Sequence, residues 1–317
     1  MWLGAFLNRL IGGETMKQIA PDYYKEFSCI ADKCRHSCCI GWEIDIDEET
    51  MQKYRAHGGE FGVRLMRGIH EDADGAHFIL DADERCPFLN TCGLCDIYRE
   101  MGEEALSQIC TDHPRFRSFF SDRVEIGLGL CCEAAADLVL NRKEKMRLVE
   151  IDNDGGRERL TRAEKQILAL REKMLDAAQD DALSLEEKFE AVLSLAGMET
   201  AERSFAEWIE IYLELERLDA AWGEMLETAR ETEPDGVHDG MFSNLLTYFI
   251  YRHVGESETI EDAAVYAAFS VHAADFVRRL CAATGADTKE KIADVVRAYS
   301  SEIEYSQENM DTLLELV

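Results

Sequence analysis

Ten of the eleven cysteines in this 317-residue chain fall between Cys29 and Cys132, in the order Cys29, Cys34, Cys38, Cys39, Cys86, Cys92, Cys95, Cys110, Cys131 and Cys132. Cysteines used as small core hydrophobes would be scattered. A soft metal or an iron–sulfur cluster instead needs several thiolates brought to one point from short, turn-forming segments. A disulfide framework is the competing reading, and it suits short secreted chains. This chain is long enough to build a core without staples, its cysteine total is odd, and its first residues lack the basic start of a secretory signal. The adjacent pairs Cys38-Cys39 and Cys131-Cys132 reach disulfide geometry poorly within themselves. The expectation is a metal-bearing first third in a reducing, cytoplasmic compartment, with disulfides and inert or redox thiols as the alternatives.

The 34 Lys and Arg stand against 64 Asp and Glu, a formal net charge of −30. Nucleic acid held by phosphate neutralisation is therefore not an expected partner, whereas a lysine-bearing protein would be attracted. Most of the acids read more simply as solvated helix faces serving solubility. No apolar stretch approaches the ~20 residues of a membrane span, so no membrane partner is expected.

Proline usage divides the chain. Pro21, Pro87 and Pro114 lie in the cysteine-rich part, and only Pro234 follows. Residues from Thr161 onward are free to be helical. Ile167, Leu168, Leu170, Met174 and Leu175 recur at helical spacing, as do Phe205, Trp208, Ile209, Tyr212 and Leu213, and 181–196 and 259–283 read likewise. The expected fold is mainly α: a cysteine-rich metal-binding domain over 16–150 with short helices and little β, a linker near 152–156, and an α-helical domain over 157–317. Within the first domain, Trp42 to Asp47 alternates as a short strand and Asp47 reads as a helix N-cap. Met101 to Cys110 is expected to be one helix, Val124 to Leu130 a strand or loop delivering Cys131-Cys132, and Ala134 to Leu140 a helix.

Cys34-Arg-His-Ser-Cys38-Cys39 offers three thiols within six residues, and Cys92-Gly-Leu-Cys95 is a C-x2-C turn. Such knuckles serve both zinc and iron–sulfur sites, so the spacing does not choose between them. The C-x3-C-x2-C arrangement of ordinary radical S-adenosylmethionine enzymes is absent, because Cys39 directly follows Cys38. His36 and His113 are available as further ligands, although the thiols alone are in surplus. No glycine-rich nucleotide loop stands out, since Gly127-Leu-Gly129 is too short a match.

Several of these segments resemble the flagellin lysine-N-methylase family: Pro21-Asp-Tyr-Tyr-Lys-Glu-Phe-Ser-Cys29, Cys34-x3-Cys38-Cys39-Ile-Gly-Trp42, Cys86-Pro-Phe-Leu89, Leu94-Cys95-Asp-Ile-Tyr98, Cys110-Thr-Asp-His-Pro-Arg115-Phe116 and Leu130-Cys131-Cys132-Glu133. The first five also resemble the wider cysteine-cluster family of zinc- or iron-chelating domains. Resemblance to the methylases continues at Leu245 to His253 and at Ser301 to Leu314. It implies a protein-lysine N-methyltransferase that uses S-adenosylmethionine, acts on flagellin as its protein substrate, and carries a cysteine-ligated iron–sulfur cluster of the 4Fe-4S type, with zinc as the alternative metal.

By the same resemblance, Cys29, Cys34, Cys38, Cys39, Cys86, Cys95, Cys110 and Cys132 fall on the family's cysteine positions and are the candidate metal ligands. Cys92 and Cys131 look like supporting thiols. Members of the family tend to begin just before the Pro-x-Tyr-Tyr stretch, so Met16 is the expected start and 1–15 are expected to be poorly packed. Arg115 and Arg117 beside Pro114 read either as a fork for a carboxylate or as partners of Asp112 and Asp122, and Arg115 and Arg252 are the candidate cofactor-binding residues. Tyr248, Tyr251, Arg252 and His253 share a polar-aromatic helix face, which reads first as structural packing. Glu304, Tyr305 and Asn309 are candidates to reach back toward the metal domain, and an inter-domain hydrogen-bond network explains them as well. No catalytic residue is identified, and a non-catalytic zinc-stapled interaction module stands as the alternative function.

Overall fold

The computed structural model describes residues 16–73, 75–153, 159–199, 203–232, 234, 236 and 240–317. The expectation for residues 1–15 and the centre of the expected linker lie outside these. In chain order the strands are β1 (Lys17–Pro21), β2 (Asp45–Ile46), β3 (Ile69–Glu71), β4 (Ala76–Phe78), β5 (Arg115–Phe120), β6 (Arg123–Leu128) and β7 (Leu148–Asn153). The first helices are α1 (Glu48–Ala56), α2 (Gly59–Arg67), α3 (Asp96–Met101), α4 (Gln108–Asp112) and α5 (Glu133–Leu140). Eight more follow: α6 (Arg162–Ala178), α7 (Leu185–Ala196), α8 (Phe205–Glu214), α9 (Ala220–Ala229), α10 (Met241–His253), α11 (Ile260–Ala283), α12 (Lys289–Tyr299) and α13 (Gln307–Leu314). The mainly α character expected from sequence is what the chain adopts.

Two compact units divide it. The helical unit comprises 16–27, 116–131 and 136–317, and the thiol unit comprises 28–115 and 132–135. This cut differs from a boundary near 152–156. β7 pairs antiparallel with β1, and β1 pairs in parallel with β6, giving a sheet in the order β5-β6-β1-β7 that belongs to the helical unit. Partners about 130 residues apart, such as Lys17 and Asn153, leave no mark in local spacing.

Capping explains the helix starts in the helical unit. Thr161, Ser184, Ser204 and Thr259 each form a capping box with the acid three residues on, satisfying two backbone donors reciprocally. α10 is buried on nearly every side and packs against α11, α6 and α7. The aromatic core includes Tyr212 stacked on Phe276 with ring centroids 4.0 Å apart, and Tyr299, Phe249 and Phe269 nearby. Gly127 lies in β6 because a Cβ there would fall 2.1 Å from the Phe116 ring. Its role is close packing.

His272 is half-buried at the edge of this core, 3.9 Å from Trp208 by ring centroids and 3.1 Å from the Tyr212 hydroxyl. Burial, helped by the charge of Arg203, lowers its pKa to about 3. The unfolded chain therefore binds a proton at this residue between pH ~6.5 and pH ~3 that the folded chain refuses. Stability should fall as pH drops through that window, by about 1.4 kcal/mol per unit from this residue. Urea unfolding of wild type and His272→Gln across pH 6.5 to 4 checks this, with a shallower slope expected for the variant.

In the thiol unit, β2, β4 and β3 form an antiparallel sheet flanked by α1 and α2. The short strand expected after Trp42 reduces to Asp45–Ile46. Asp47 caps α1 as expected, accepting the Thr50 N–H at 2.9 Å, and its second oxygen takes the Gln108 N–H at 2.8 Å. The single helix expected over Met101 to Cys110 is replaced by three pieces: the end of α3, a 3-10 turn over Glu103–Ala105, and α4. Gly102 at φ +86° ends the first piece, and Asp47 supplies the start of the last from far away in sequence.

Candidate functional site

The cysteines of the thiol unit lie at the ends of short elements, where turns turn the chain back on itself. Cys29 accepts the Ala31 N–H at 3.4 Å, and Ala31 takes the left-handed φ of +50° that this tight turn requires. Cys34 closes the following 3-10 turn, its Sγ 3.2 Å from the His36 carbonyl and 3.7 Å from Glu133 Oε2. Glu133, next to Cys132, also accepts the Arg35 backbone N–H and the Arg35 Nε, both at 2.9 Å. These contacts bring the Cys34 turn to the Cys132 end of the unit. Trp42 Nε1 donates to the Cys38 carbonyl at 2.6 Å and fixes the next turn.

Cys39 and Cys86 are stitched together by the Cys86 N–H donating to the Cys39 carbonyl at 2.8 Å. Asn90 shapes the C-x2-C turn. Its Oδ1 accepts the N–H groups of Cys92 at 2.9 Å and Leu94 at 3.1 Å, and its Nδ2 donates to Asp96 at 2.9 Å. Gly93 takes φ +75° at the apex, and Leu89 bridges to Cys95. Replacing Asn90 with Ala leaves those donors without their acceptor and should cost about 1–3 kcal/mol, read by urea unfolding. A loss below a few tenths of a kcal/mol would mean that the turn does not depend on this side chain.

The thiols differ electrostatically. Cys86 is pushed up to about 12 and Cys110 to about 11, mainly by burial, and Cys95 is raised for the same reason. Negative charge on Cys39 adds to all three. Cys38 and Cys39 share a side-chain hydrogen bond that raises Cys38 and lowers Cys39. Burial also raises Cys34 and Cys132. Thiols lifted in this way favour neutrality or a cation nearby. Among the described residues, no group of three or more His, Cys, Asp or Glu side chains closes to metal-binding geometry. Thiols supplied from several short segments are nonetheless the donor type that a soft metal takes.

His113 is held neutral by burial, with a pKa near 4, and packs at 5.8 Å from the Trp42 ring. Arg115 lies in the thiol unit and donates to the Thr111 carbonyl at 3.0 Å. Arg252 lies in the helical unit, buried between Phe116 and Tyr305 at 4.9 and 5.0 Å. Its Nε is 3.3 Å from Glu304 Oε1, and its Nη1 donates to Tyr248 at 2.8 Å. Its charge is thus paired inside the protein. Glu304 also meets His253 Nε2 at 2.8 Å, and Asn309 bonds to Glu216 and Glu302. Glu304 and Asn309 form these hydrogen bonds within the helical unit, whereas Tyr305 hydrogen-bonds the Cys131 side chain and so reaches the cysteine-rich segment as expected. The Tyr248 hydroxyl lies 3.3 Å from the Leu130 N–H, two residues before Cys132. Cys281, the one cysteine outside the cluster, is a buried core residue.

Sequence reasoning missed the Glu133–Arg35 clamp and the Asn90 turn. The only local signal was position, since Glu133 follows Cys132 and Asn90 stands two residues before Cys92 of the C-x2-C.

The model of the FliB lysine N-methylase C-terminal domain matches residues 120–317, well over half of this sequence. The chain belongs to that family. The FliB match takes in Cys131 and Cys132 but begins after Cys110. The chain is 30% identical over 145 residues to the lysine-N-methylases of Salmonella choleraesuis and Salmonella typhimurium, covering 43% of this chain and 36% of each relative. It is 30% identical over 148 residues to the flagellar biosynthetic protein FliU of Salmonella muenchen, covering 43% of this chain and 85% of that protein. The matched region thus spans about a third of the two methylases' length. No solved structure matches. Among the described residues no helix is long and apolar enough to cross a membrane.

Proposed function

We propose that this chain is a cytoplasmic, S-adenosylmethionine-dependent methyltransferase that methylates lysine ε-amino groups of flagellin, with an iron–sulfur cluster held by Cys29, Cys34, Cys38, Cys39, Cys86, Cys95, Cys110 and Cys132 or a subset of them. The observation that carries this reading is the FliB lysine N-methylase match over 120–317, which ties the helical unit to lysine methylation. The thiols supply the donor set for the cluster, and the names of the relatives point to the flagellar substrate.

The reaction breaks the donor's sulfonium S–CH3 bond as the lysine nitrogen lone pair forms the new N–CH3 bond. The lysine must first lose its ammonium proton, which desolvation favours, and the nitrogen must lie in line with the methyl. A cluster held by these thiols would supply Lewis-acidic iron able to seat the donor's amino and carboxylate groups. The excess of acids, 64 against 34 basic residues, attracts a lysine-bearing partner. Glu133, held ionised by Arg35, places a fixed negative charge beside Cys34.

Calorimetry with S-adenosylmethionine on anaerobically purified protein tests the reading. Saturable heat is expected. No heat from metal-loaded protein would leave the alternative, a zinc-stapled interaction module without catalysis.

A further inference from the structure

Five of the chain's 34 basic residues, Arg142, Lys143, Lys145, Lys188 and Lys289, line one cavity of about 270 Å³ inside the helical unit. Among the described residues two acids, Glu144 and Asp181, share its wall, although acids outnumber bases 64 to 34 in the chain as a whole. Both acids are exposed, and Asp181 already faces Lys145 at 3.3 Å. Lys143 and Lys289 stand exposed with no acid paired to either among the described residues.

The fold holds these cations in place. Asn244, in the first turn of α10, donates from Nδ2 to the carbonyls of Leu140 at 2.9 Å and Arg142 at 3.0 Å, pinning the loop that follows α5. Gln179, at the end of α6, accepts the Met146 N–H at 2.5 Å and fixes the far end of that loop. Lys188 comes from α7, and Lys289 is the first residue of α12.

Lys188 carries the argument. It is 7% exposed, and its Nζ donates to the Ser243 hydroxyl at 2.9 Å while pairing with no carboxylate among the described residues. Ser243 lies in the first turn of α10, where the N-cap Gly240 has no side chain to offer and no acid is present. A buried ammonium thus stands at the positive end of a buried helix, and each makes the other costlier unless an anion joins them. Burial, with the charge of Lys145, accordingly lowers the Lys188 pKa against the pull of Asp181 and Asp180. Arg142 adds a second incomplete group. Its Nη2 meets Asp22 at 3.1 Å, but its buried Nε has no hydrogen-bond partner among the described residues.

We propose that this cavity binds the phosphate group of a small phosphorylated molecule, with Lys188 as the innermost cation, the start of α10 as a second source of positive potential, and Lys143, Lys145 and Lys289 at the mouth. Cations converging from three segments on a helix N-terminus suit a tetrahedral dianion, whereas a planar carboxylate is satisfied by one guanidinium fork. The cavity exceeds a bare phosphate in size, which leaves room for the organic group that carries it. No cysteine lines this cavity, so the site stands apart from the proposed methyl transfer.

Calorimetry and thermal unfolding of the full chain with inorganic phosphate, at pH 8 and with ionic strength held constant by sodium chloride, test the site. Wild type should give saturable heat and a higher thermal midpoint as phosphate is added. Lys188→Gln should weaken phosphate binding at least tenfold. The double variant Lys143→Gln/Lys289→Gln should weaken it several-fold while unfolding near the wild-type temperature, since both side chains are exposed. Lys17→Gln, on β1 and outside the cavity, should bind as wild type does. If Lys188→Gln does not fold, the exposed pair decides alone. Absence of saturable binding by folded wild type overturns the proposal, and so does an affinity that the cavity variants leave unchanged, which would place the phosphate elsewhere.

Discussion

Glu304→Ala is expected to destabilise the protein by about 3–5 kcal/mol, because it leaves the buried guanidinium of Arg252 without its counter-charge. The side chain of Glu304 is fully buried, and one oxygen faces Arg252 Nε at 3.3 Å and His253 Nε2 at 2.8 Å. Both oxygens lie within 3.1 Å of the Tyr248 hydroxyl. Removing the carboxylate therefore strips acceptors from three buried side chains at once. Burial alone would raise the pKa of Glu304, but Arg252 and His253 outweigh it and hold the group below the ordinary glutamate value. A carboxyl with a lowered folded pKa contributes stability that is present above the unfolded value near 4.5 and is lost as pH falls through the folded one. The cost of Glu304→Ala by urea unfolding should accordingly be largest near neutrality and shrink in acid. A loss under ~1 kcal/mol at pH 7 would show that water replaces the network easily.

Arg171→Met is expected to cost a similar ~3–5 kcal/mol through the opposite half of a buried pair. Arg171 Nη2 lies 2.5 Å from Glu125 Oε2, with side-chain exposures of 3% and 2%. The pair fastens α6 to the middle of β6, and the guanidinium also rests over Phe120 and Tyr251. Glu125 Oε1 has no hydrogen-bond partner among the described residues, so no second donor stands by when the arginine is removed. The double variant Arg171→Met/Glu125→Leu should recover most of the loss, since replacing both charges by apolar groups of similar volume is often neutral. Unfolding curves of both variants decide it. A double variant no better than the single one would show that the cost lies in packing against Phe120 and Tyr251.

Local rules made the helical unit legible. Thr161, Ser184, Ser204 and Thr259 announce helix starts, and the apolar spacing after each one leads to α6, α7, α8 and α11. Long-range pairing was not legible. β1 and β7 meet across about 130 residues, which moved 16–27 and 116–131 out of the cysteine-rich region and into the helical unit. The helix expected over Met101 to Cys110 failed at Gly102, whose positive φ a helical period cannot announce. Cysteine spacing marked the thiol unit, yet which thiol is buried depends on core contacts of Cys39, Cys95 and Cys110 with residues far away in sequence. Arg252 was legible as part of a polar-aromatic helix face. Its pairing with Glu304 depends on the π-helical turn at Ser300–Glu304, which brings the carboxylate back toward α10.

The central claim is methyl transfer to lysine, and the most direct measurement is mass spectrometry of purified flagellin incubated with S-adenosylmethionine and the anaerobically purified, metal-loaded chain. The expected result is stepwise mass increments of one methylene on lysine-containing peptides, absent without the donor and absent with the Cys29→Ser/Cys34→Ser variant. Unmodified lysines with wild-type protein that carries its metal and binds the donor would contradict the claim.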